Sequence, residues 1–207
     1  MSAIYPAWPR PKSVQIGSTT PTIVSESHSL RLQARSRNVH RWTFSLVYMD
    51  LTRDEHAILR AFCLAQRGRL NRFQFVSPIH AVPRGVAAGS PKVHGSSFLR
   101  DPLDEAMRVP TRGWAPNTAG IIKAFDFVKF NGHSKVYAAT ADCDSDETGH
   151  ATLVIEPGLR LPVADDETVI IHDVSFTCSL VEDRFADKLI GGPWYQDVEI
   201  NLVERLS

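Results

Sequence analysis

The segment that decides the fold is residues 41–76, RWTFSLVYMDLTRDEHAILRAFCLAQRGRLNRFQFV, because its hydrophobic period changes twice. Over 41–48 apolar and polar residues alternate, which predicts a strand with one buried face. Over 53–67 apolar residues recur every three or four positions, which predicts an amphipathic helix. Alternation resumes over 72–76 and Pro78 closes it. The order predicted for this segment is strand, helix, strand.

Both ends of the predicted helix carry capping signals. Thr52 and Glu55 have the spacing of a capping box, and Gly68 stands where a helix C-cap is expected. The apolar face of the helix is expected at positions i, i+3, i+4 and i+7, which are Ile58, Ala61, Phe62 and Ala65.

Most of the remaining patterned sequence is strand-like. Alternation predicts strands, one of them over 30–35 with one solvated face, and further ones over 125–130, 134–141, 151–156, 174–180 and 194–203. Asn131-Gly132 between two such segments is typical of a hairpin turn. Pro and Gly interrupt 78–117 throughout, which predicts a loop-rich insertion or an extended arm. The predicted fold class is mainly β, a β-rich α+β protein with one good helix.

Composition and charge exclude several classes. The chain has 207 residues, of which 43% are hydrophobic and 22% charged, as in globular proteins. Lys plus Arg and Asp plus Glu number 23 each, so no net positive charge attracts nucleic acid or anionic membranes. The charge is uneven, however: residues 1–72 carry +7, 73–141 carry +4 and 142–207 carry −11. Such a chain either neutralises itself within one fold or offers complementary faces to copies and neighbours.

The cysteines and the N-terminus indicate a reducing compartment. Cys63, Cys143 and Cys178 are odd in number and widely spaced, which favours buried reduced thiols over disulfides or a zinc site. The first 17 residues contain Trp8 and three prolines instead of a basic start and an apolar run, so no signal peptide is expected. No run of about 18 apolar residues predicts a membrane-spanning helix.

Motifs for catalysis, cofactors and metals are missing from the sequence. Asp142, Asp144 and Asp146 have the spacing of the first calcium-loop ligands, but Glu147 stands where Gly is needed and Leu153 where Glu is needed. An acidic hairpin turn is the preferred interpretation. The eight histidines form no H-x-H or H-x-x-x-H pair, and neither a G-x-S-x-G elbow nor a phosphate-binding glycine motif occurs. We therefore expect no catalytic residue, cofactor site or metal site, and no enzymatic activity.

Aromatic residues are the remaining candidates for binding. Trp114 and the pair Trp194-Tyr195 are placed where rings can stack on a sugar or fill a pocket of a partner, and equally where they can anchor a core or a strand end. Trp42 continues the core-facing alternation of its strand and is expected in the core.

Three stretches resemble the distal tail proteins of long-tailed bacteriophages and of related prophage and gene-transfer-agent tails. The first comprises 41–46, 49–55, 64–69 and 73–75; the second comprises 121–137, 140–142 and 151–160; the third is the closing strand 195–206 with its VEINLVE sequence. Phe125 stands where such proteins usually have Gly before the Asp. The region 78–118 and the N-terminal segment match nothing in the family.

This resemblance implies a two-domain organisation. A discontinuous, ring-forming belt domain, a β-sandwich with one helix, would comprise residues 1–78 and 172–207. Residues 79–171 would form an inserted, peripheral β-barrel-like module, similar to an OB fold, split barrel or galectin.

The resemblance also implies a structural role in the virion. Six copies would form a ring at the distal end of the tail, joining the tail tube protein to the tip or baseplate hub, the fibre proteins and the tape measure protein. DNA would pass through the lumen without specific binding. Assembly would occur in the cytoplasm of the bacterial host, without membrane insertion, and the protein would end in the tail tip. The alternatives are a carbohydrate- or receptor-binding β-sandwich module, another minor tail protein and, last, a hydrolase of the host cell wall.

Overall fold

Two compact units make up the chain. A computed structural model describes residues 3–26, 28, 30–36, 39–95, 99–100, 107–186, 188–189, 194–196 and 198–206. The discontinuous unit comprises Met1–Phe75 and Thr177–Ser207, and the inserted unit comprises Val76–Phe176. In the described residues strands predominate and one helix occurs, which confirms the predicted fold class.

The strands and the helix are numbered in chain order. Before the inserted unit come β1 (Ala3–Ile4), β2 (Ser13–Thr19), β3 (Thr22–Glu26), β4 (Leu32–Ser36), β5 (Arg41–Tyr48), α1 (Arg53–Gln66) and β6 (Phe73–Val76). The inserted unit contains β7 (Gly89–Val93), β8 (Leu99–Arg100), β9 (Met107–Trp114), β10 (Phe127–Phe130), β11 (Tyr137–Ala139), β12 (Ala151–Glu156) and β13 (Val169–Ile170). The chain continues with β14 (Ser175–Leu180), β15 (Lys188–Leu189), β16 (Tyr195–Gln196) and β17 (Val198–Glu204).

The main sheet of the discontinuous unit combines the beginning and the end of the chain. Its strand order is β1-β6-β14-β17-β5-β2, so that β17 lies between β14 and β5 and pairs antiparallel with both. The inward side chains of β5 are buried as predicted: Trp42, Phe44, Leu46 and Tyr48. Val198, Ile200 and Leu202 of β17 are buried beside them. The predicted single strand 194–203 is divided into β16 and β17.

Helix α1 confirms the predicted element and its capping box. The Thr52 hydroxyl accepts a hydrogen bond from the Glu55 N–H, and the Glu55 carboxylate accepts one from the Thr52 N–H. The C-cap is Arg67, in the left-handed conformation, and not Gly68.

The predicted face of α1 is wrong. The buried residues are Leu59, Cys63 and Gln66, whereas Ile58, Ala61 and Ala65 are exposed and Phe62 is half-buried. The helix carries apolar residues on two adjacent arcs, so its periodicity could not decide which arc meets the sheet.

The inserted unit is built on a nearly closed, barrel-like sheet. Its strand order is β13-β10-β11-β12-β9-β7, and β8 pairs with β9. The two ends of this order meet, because the Val93 N–H donates to the Glu167 carbonyl and the Asp166 N–H donates to the Val93 carbonyl. The core of the barrel consists of residues between Ala87 and Ile171, among them Trp114, Phe130, Tyr137 and Leu153.

The prediction of a loop-rich region over 78–117 is wrong for β7 and β9. Met107, Val109 and Thr111 of β9 alternate inward, and the strand pairs with β12 on one side and β7 on the other. Pro110 and Gly113 concealed this alternation in the sequence, as did a buried threonine at an inward position. The hairpin predicted around Asn131-Gly132 is present as β10 and β11.

Asp126 organises the chain before β10. Its buried carboxylate accepts hydrogen bonds from the backbone N–H groups of Arg84, Gly85 and Lys123, at 2.9, 3.0 and 2.9 Å. One side chain therefore holds two loops together. Phe125 precedes it with φ 72°, a conformation that glycine adopts more readily.

The hairpin of β3 and β4 forms a separate two-stranded sheet. Every described side chain of these strands is exposed, including Val24 and Leu32. The predicted buried face for 30–35 is therefore wrong, because among the described residues no second layer covers the hairpin.

Candidate functional site

The acidic turn around Asp144 is held together by contacts within the chain. Asp142 accepts from the Lys123 ammonium at 2.8 Å, and this bond lowers the pKa of Asp142. Asp144 accepts from the Gly120 N–H, and Asp146 accepts from the N–H groups of Thr148 and His150. The three carboxylates thus bind different groups, and no cluster of three or more His, Cys, Asp or Glu suited to a metal occurs among the described residues.

The tryptophans selected in the sequence occupy different environments. Trp114 is 3% exposed in the barrel core, and its indole N–H donates to the Thr111 hydroxyl at 2.8 Å. Trp42 is buried as expected. The ring of Tyr195 stacks on His56 with centroids 3.7 Å apart, while Trp194 is exposed. Of these residues, Trp194 alone presents its ring to solvent.

All three cysteines are buried, as predicted, and none forms a disulfide bond. Burial raises the pKa of Cys63 and that of Cys143, so both thiols stay protonated at neutral pH. This environment is typical of packing residues and not of nucleophiles.

A polar network that sequence spacing does not show lies on the inserted unit. Arg112 contacts Asp165 and Asp166 at 3.4 and 3.2 Å, and Lys92 contacts Asp166 at 2.7 Å. His94 and His150, 56 positions apart in sequence, have ring centroids 4.8 Å apart. Both carboxylates are exposed to solvent and are paired with basic residues that come from β7 and β9.

A depression lies in the described surface of each unit. In the discontinuous unit, a groove contains two arginines, two glutamates and one aromatic ring; it is lined by Arg60, Glu182, Arg184, Phe185, Ala186, Glu199 and Asn201. In the inserted unit, an open depression lies over residues 131–133, 161–162 and 164–167. Its described lining has no Phe, Tyr or Trp on which a sugar could stack.

The most unusual surfaces are two exposed apolar faces of the discontinuous unit. The first, called here the helix face, is the solvent side of α1: Ala57, Ile58, Ala61, Leu64 and Ala65. The second, called here the ribbon face, is one side of the β3–β4 hairpin: Val24, Leu32 and Ala34, flanked by Thr22 and Glu26. Soluble proteins seldom leave contiguous apolar patches uncovered, so these faces are the candidate functional site.

The described part of the chain contains no helix with both the length and the apolar character that a membrane span requires. In comparisons with known proteins, no family model and no curated protein matched the chain.

Proposed function

We propose that this protein is a structural subunit of the distal end of a long bacteriophage tail. Six copies form a ring that joins the tail tube to the tip or baseplate hub and to the host-recognition proteins. The discontinuous unit forms the ring, and the inserted unit is its peripheral module.

The observation that carries this proposal is the division of the chain. The beginning and the end of the sequence share one sheet, with β17 between β5 and β14, and the residues between them have a barrel core of their own. This arrangement agrees with the belt domain and inserted module that the sequence resemblance implies. Two exposed apolar faces on the discontinuous unit provide contact surfaces for copies of the chain.

The charge distribution supports the same role. Basic residues prevail before residue 72 and acidic residues after residue 142, and parts of both segments lie in the discontinuous unit. Neighbouring copies in a ring can therefore meet with opposite charges. The formal net charge of zero suits a channel that releases DNA easily.

Electron microscopy and mass photometry of the purified full-length protein test the proposal. The protein is studied alone and mixed with the tail tube protein and the hub protein of the same phage. We expect closed rings with sixfold symmetry, at least in the mixtures, since a template favours ring closure. A protein that stays monomeric in every mixture would contradict the proposal.

A glycan array with the same full-length protein separates an adaptor from a carbohydrate-binding module. An adaptor gives no binding above the background of an unrelated β protein. Saturable binding to one glycan class would favour the carbohydrate-binding alternative instead.

A further inference from the structure

We propose that the ribbon face of one copy packs against the helix face of the next copy, so that ring contacts join two different surfaces. This inference rests on the proposed ring and names the surfaces that build it. Contacts between unlike surfaces repeat from copy to copy and form a closed ring when the rotation between neighbours closes.

The helix face is an apolar arc that no described part of the chain covers. Its residues follow the spacing i, i+1, i+4, i+7 and i+8, which places them on about one third of the helix circumference. Leu64 is 72% exposed and Ile58 is 45% exposed. The opposite side of the helix is the buried one and carries Gln66. Because Leu59 and Cys63 already supply the buried apolar side of the helix, the fold does not require the exposed arc to be apolar, which indicates that a partner covers it.

The ribbon face has the same character. Val24 pairs with Ala34, and Glu26 with Leu32, so these four side chains share one side of the hairpin. Val24 is 54% exposed and Leu32 is 65% exposed. A two-stranded hairpin with both sides in water is marginally stable, and packing one side against a second surface stabilises it.

The two faces match in length. Ala57 and Ala65 are separated by about 12 Å along the helix axis, at the usual α-helical rise. Thr22 and Glu26 are separated by about 13 Å along β3, at the usual rise of a strand. One hairpin therefore covers one helix face, which favours a second copy of this chain as the occupant.

Charges at the ends of the faces set the direction of packing. The ribbon face has Glu26 at its tip; the helix has exposed Arg53 and Asp54 at its N-terminal end and exposed Arg67 at its C-terminal end. The opposite charges of Arg53 and Asp54 leave no net attraction for Glu26 at the first end, whereas Glu26 beside Arg67 is attractive. The hairpin tip of one copy therefore lies toward Arg67 of the next.

Thiol cross-linking of the full-length protein tests the contact. The variant V24C/A61C is treated with a short bifunctional maleimide under the conditions that give rings; the native cysteines are buried. We expect a ladder of covalent oligomers from the double variant and none from V24C or A61C alone. The matched control is A61C/L161C, because Leu161 is an equally exposed apolar residue of the inserted unit, and it should give no ladder.

Other cross-linking results would overturn the inference in distinct ways. A cross-linked dimer from V24C alone would mean that like surfaces meet, and a cross-link within one monomer would mean that the hairpin covers its own helix. Rings without any ladder would overturn the inference and leave the proposed function intact. The absence of any oligomer, alone or with tube and hub proteins, would overturn both.

Charge reversal provides an independent measurement. E26R and R67E should each raise the concentration needed for half assembly by about tenfold, and the double variant E26R/R67E should restore it to near the original value. Both positions are exposed, and circular dichroism checks that each variant keeps its fold. Failure of the double variant to recover would contradict the predicted direction of packing.

Discussion

At the scale of single residues, Asp126 shows how one buried carboxylate replaces regular structure. It accepts hydrogen bonds from three backbone N–H groups in two loops. In these loops the carboxylate takes the place that a neighbouring strand has in a sheet. The sequence predicted a strand start near this position, but a carboxylate gives no periodic signal. Its partners near residue 84 are about forty positions away, so no local pattern could have identified them.

Replacing Asp126 with Asn should destabilise the inserted unit by about 2–4 kcal/mol. The amide keeps one acceptor oxygen and directs an NH2 group at backbone N–H donors, so at least one buried donor loses its partner. Chemical denaturation followed by circular dichroism gives the free energy of unfolding. The control is E147Q, which alters an exposed side chain of the same unit. Equal stability of both variants would contradict the role given to Asp126.

The buried tyrosine pair of the discontinuous unit predicts a loss of stability at high pH. The hydroxyls of Tyr5 and Tyr48 are 2.9 Å apart. Burial raises the pKa of Tyr48 to about 12 and holds the pKa of Tyr5 well above its ordinary value. The folded protein therefore binds these protons more tightly than the unfolded chain. The stability that these two tyrosines contribute is fully present below about pH 10 and falls as the pH rises toward 12.

The double variant Y5F/Y48F isolates this contribution. We expect near-native stability at neutral pH, because both hydroxyls are removed together, and a smaller loss between pH 10 and about 12. Some loss remains, because burial also raises the pKa of Cys63. Denaturation midpoints over a pH series measure the slope. A slope as steep as that of the unchanged protein would show that the tyrosines do not cause it.

At the scale of elements, the sequence predicted what local chemistry determines. The capping box, the core face of β5 and the alternation of β12 follow from spacing alone, and each is present. The burial of α1 and of β4 could not be predicted, because it depends on which other element covers them. Strand β9 was missed because it contains Pro110 and Gly113, which usually interrupt strands. The closed sheet tolerates both residues, and local sequence patterns do not show that closure.

Truncation of the helix cap gives a prediction for this scale. T52A should lower the free energy of unfolding by about 1 kcal/mol, because the Glu55 N–H loses its acceptor. T52S keeps a hydroxyl at the same position and should stay within a few tenths of a kcal/mol of the unchanged protein. Urea denaturation of both variants measures the difference. If T52A and T52S were equally stable, the hydroxyl would have no capping function.

At the scale of the whole molecule, the two units differ in how far apart in the sequence the residues of their cores lie. The core of the inserted unit is formed by residues between Ala87 and Ile171. These residues bury one another without contributions from the two ends of the chain. The main sheet of the discontinuous unit, by contrast, needs β5 and β17 together, although some 150 residues separate them. Only the resemblance, and no periodicity, indicated that these distant strands belong to one domain.

This division predicts that each unit folds without the other. The Gln74 side-chain N–H donates to the Thr177 hydroxyl at 3.2 Å, so β6 and β14 are adjacent, and a short turn can join them across about 5 Å. In the first variant a four-residue Gly/Asn linker replaces residues 78–173, and we expect this variant to unfold cooperatively on heating. We expect the same of a second protein that contains residues 76–176 alone. The control deletes 74–178, which removes paired strand residues and should prevent folding. Aggregation of the first variant, or no difference from the control, would show that the main sheet requires the inserted unit for its stability and that the two cores are one cooperative system.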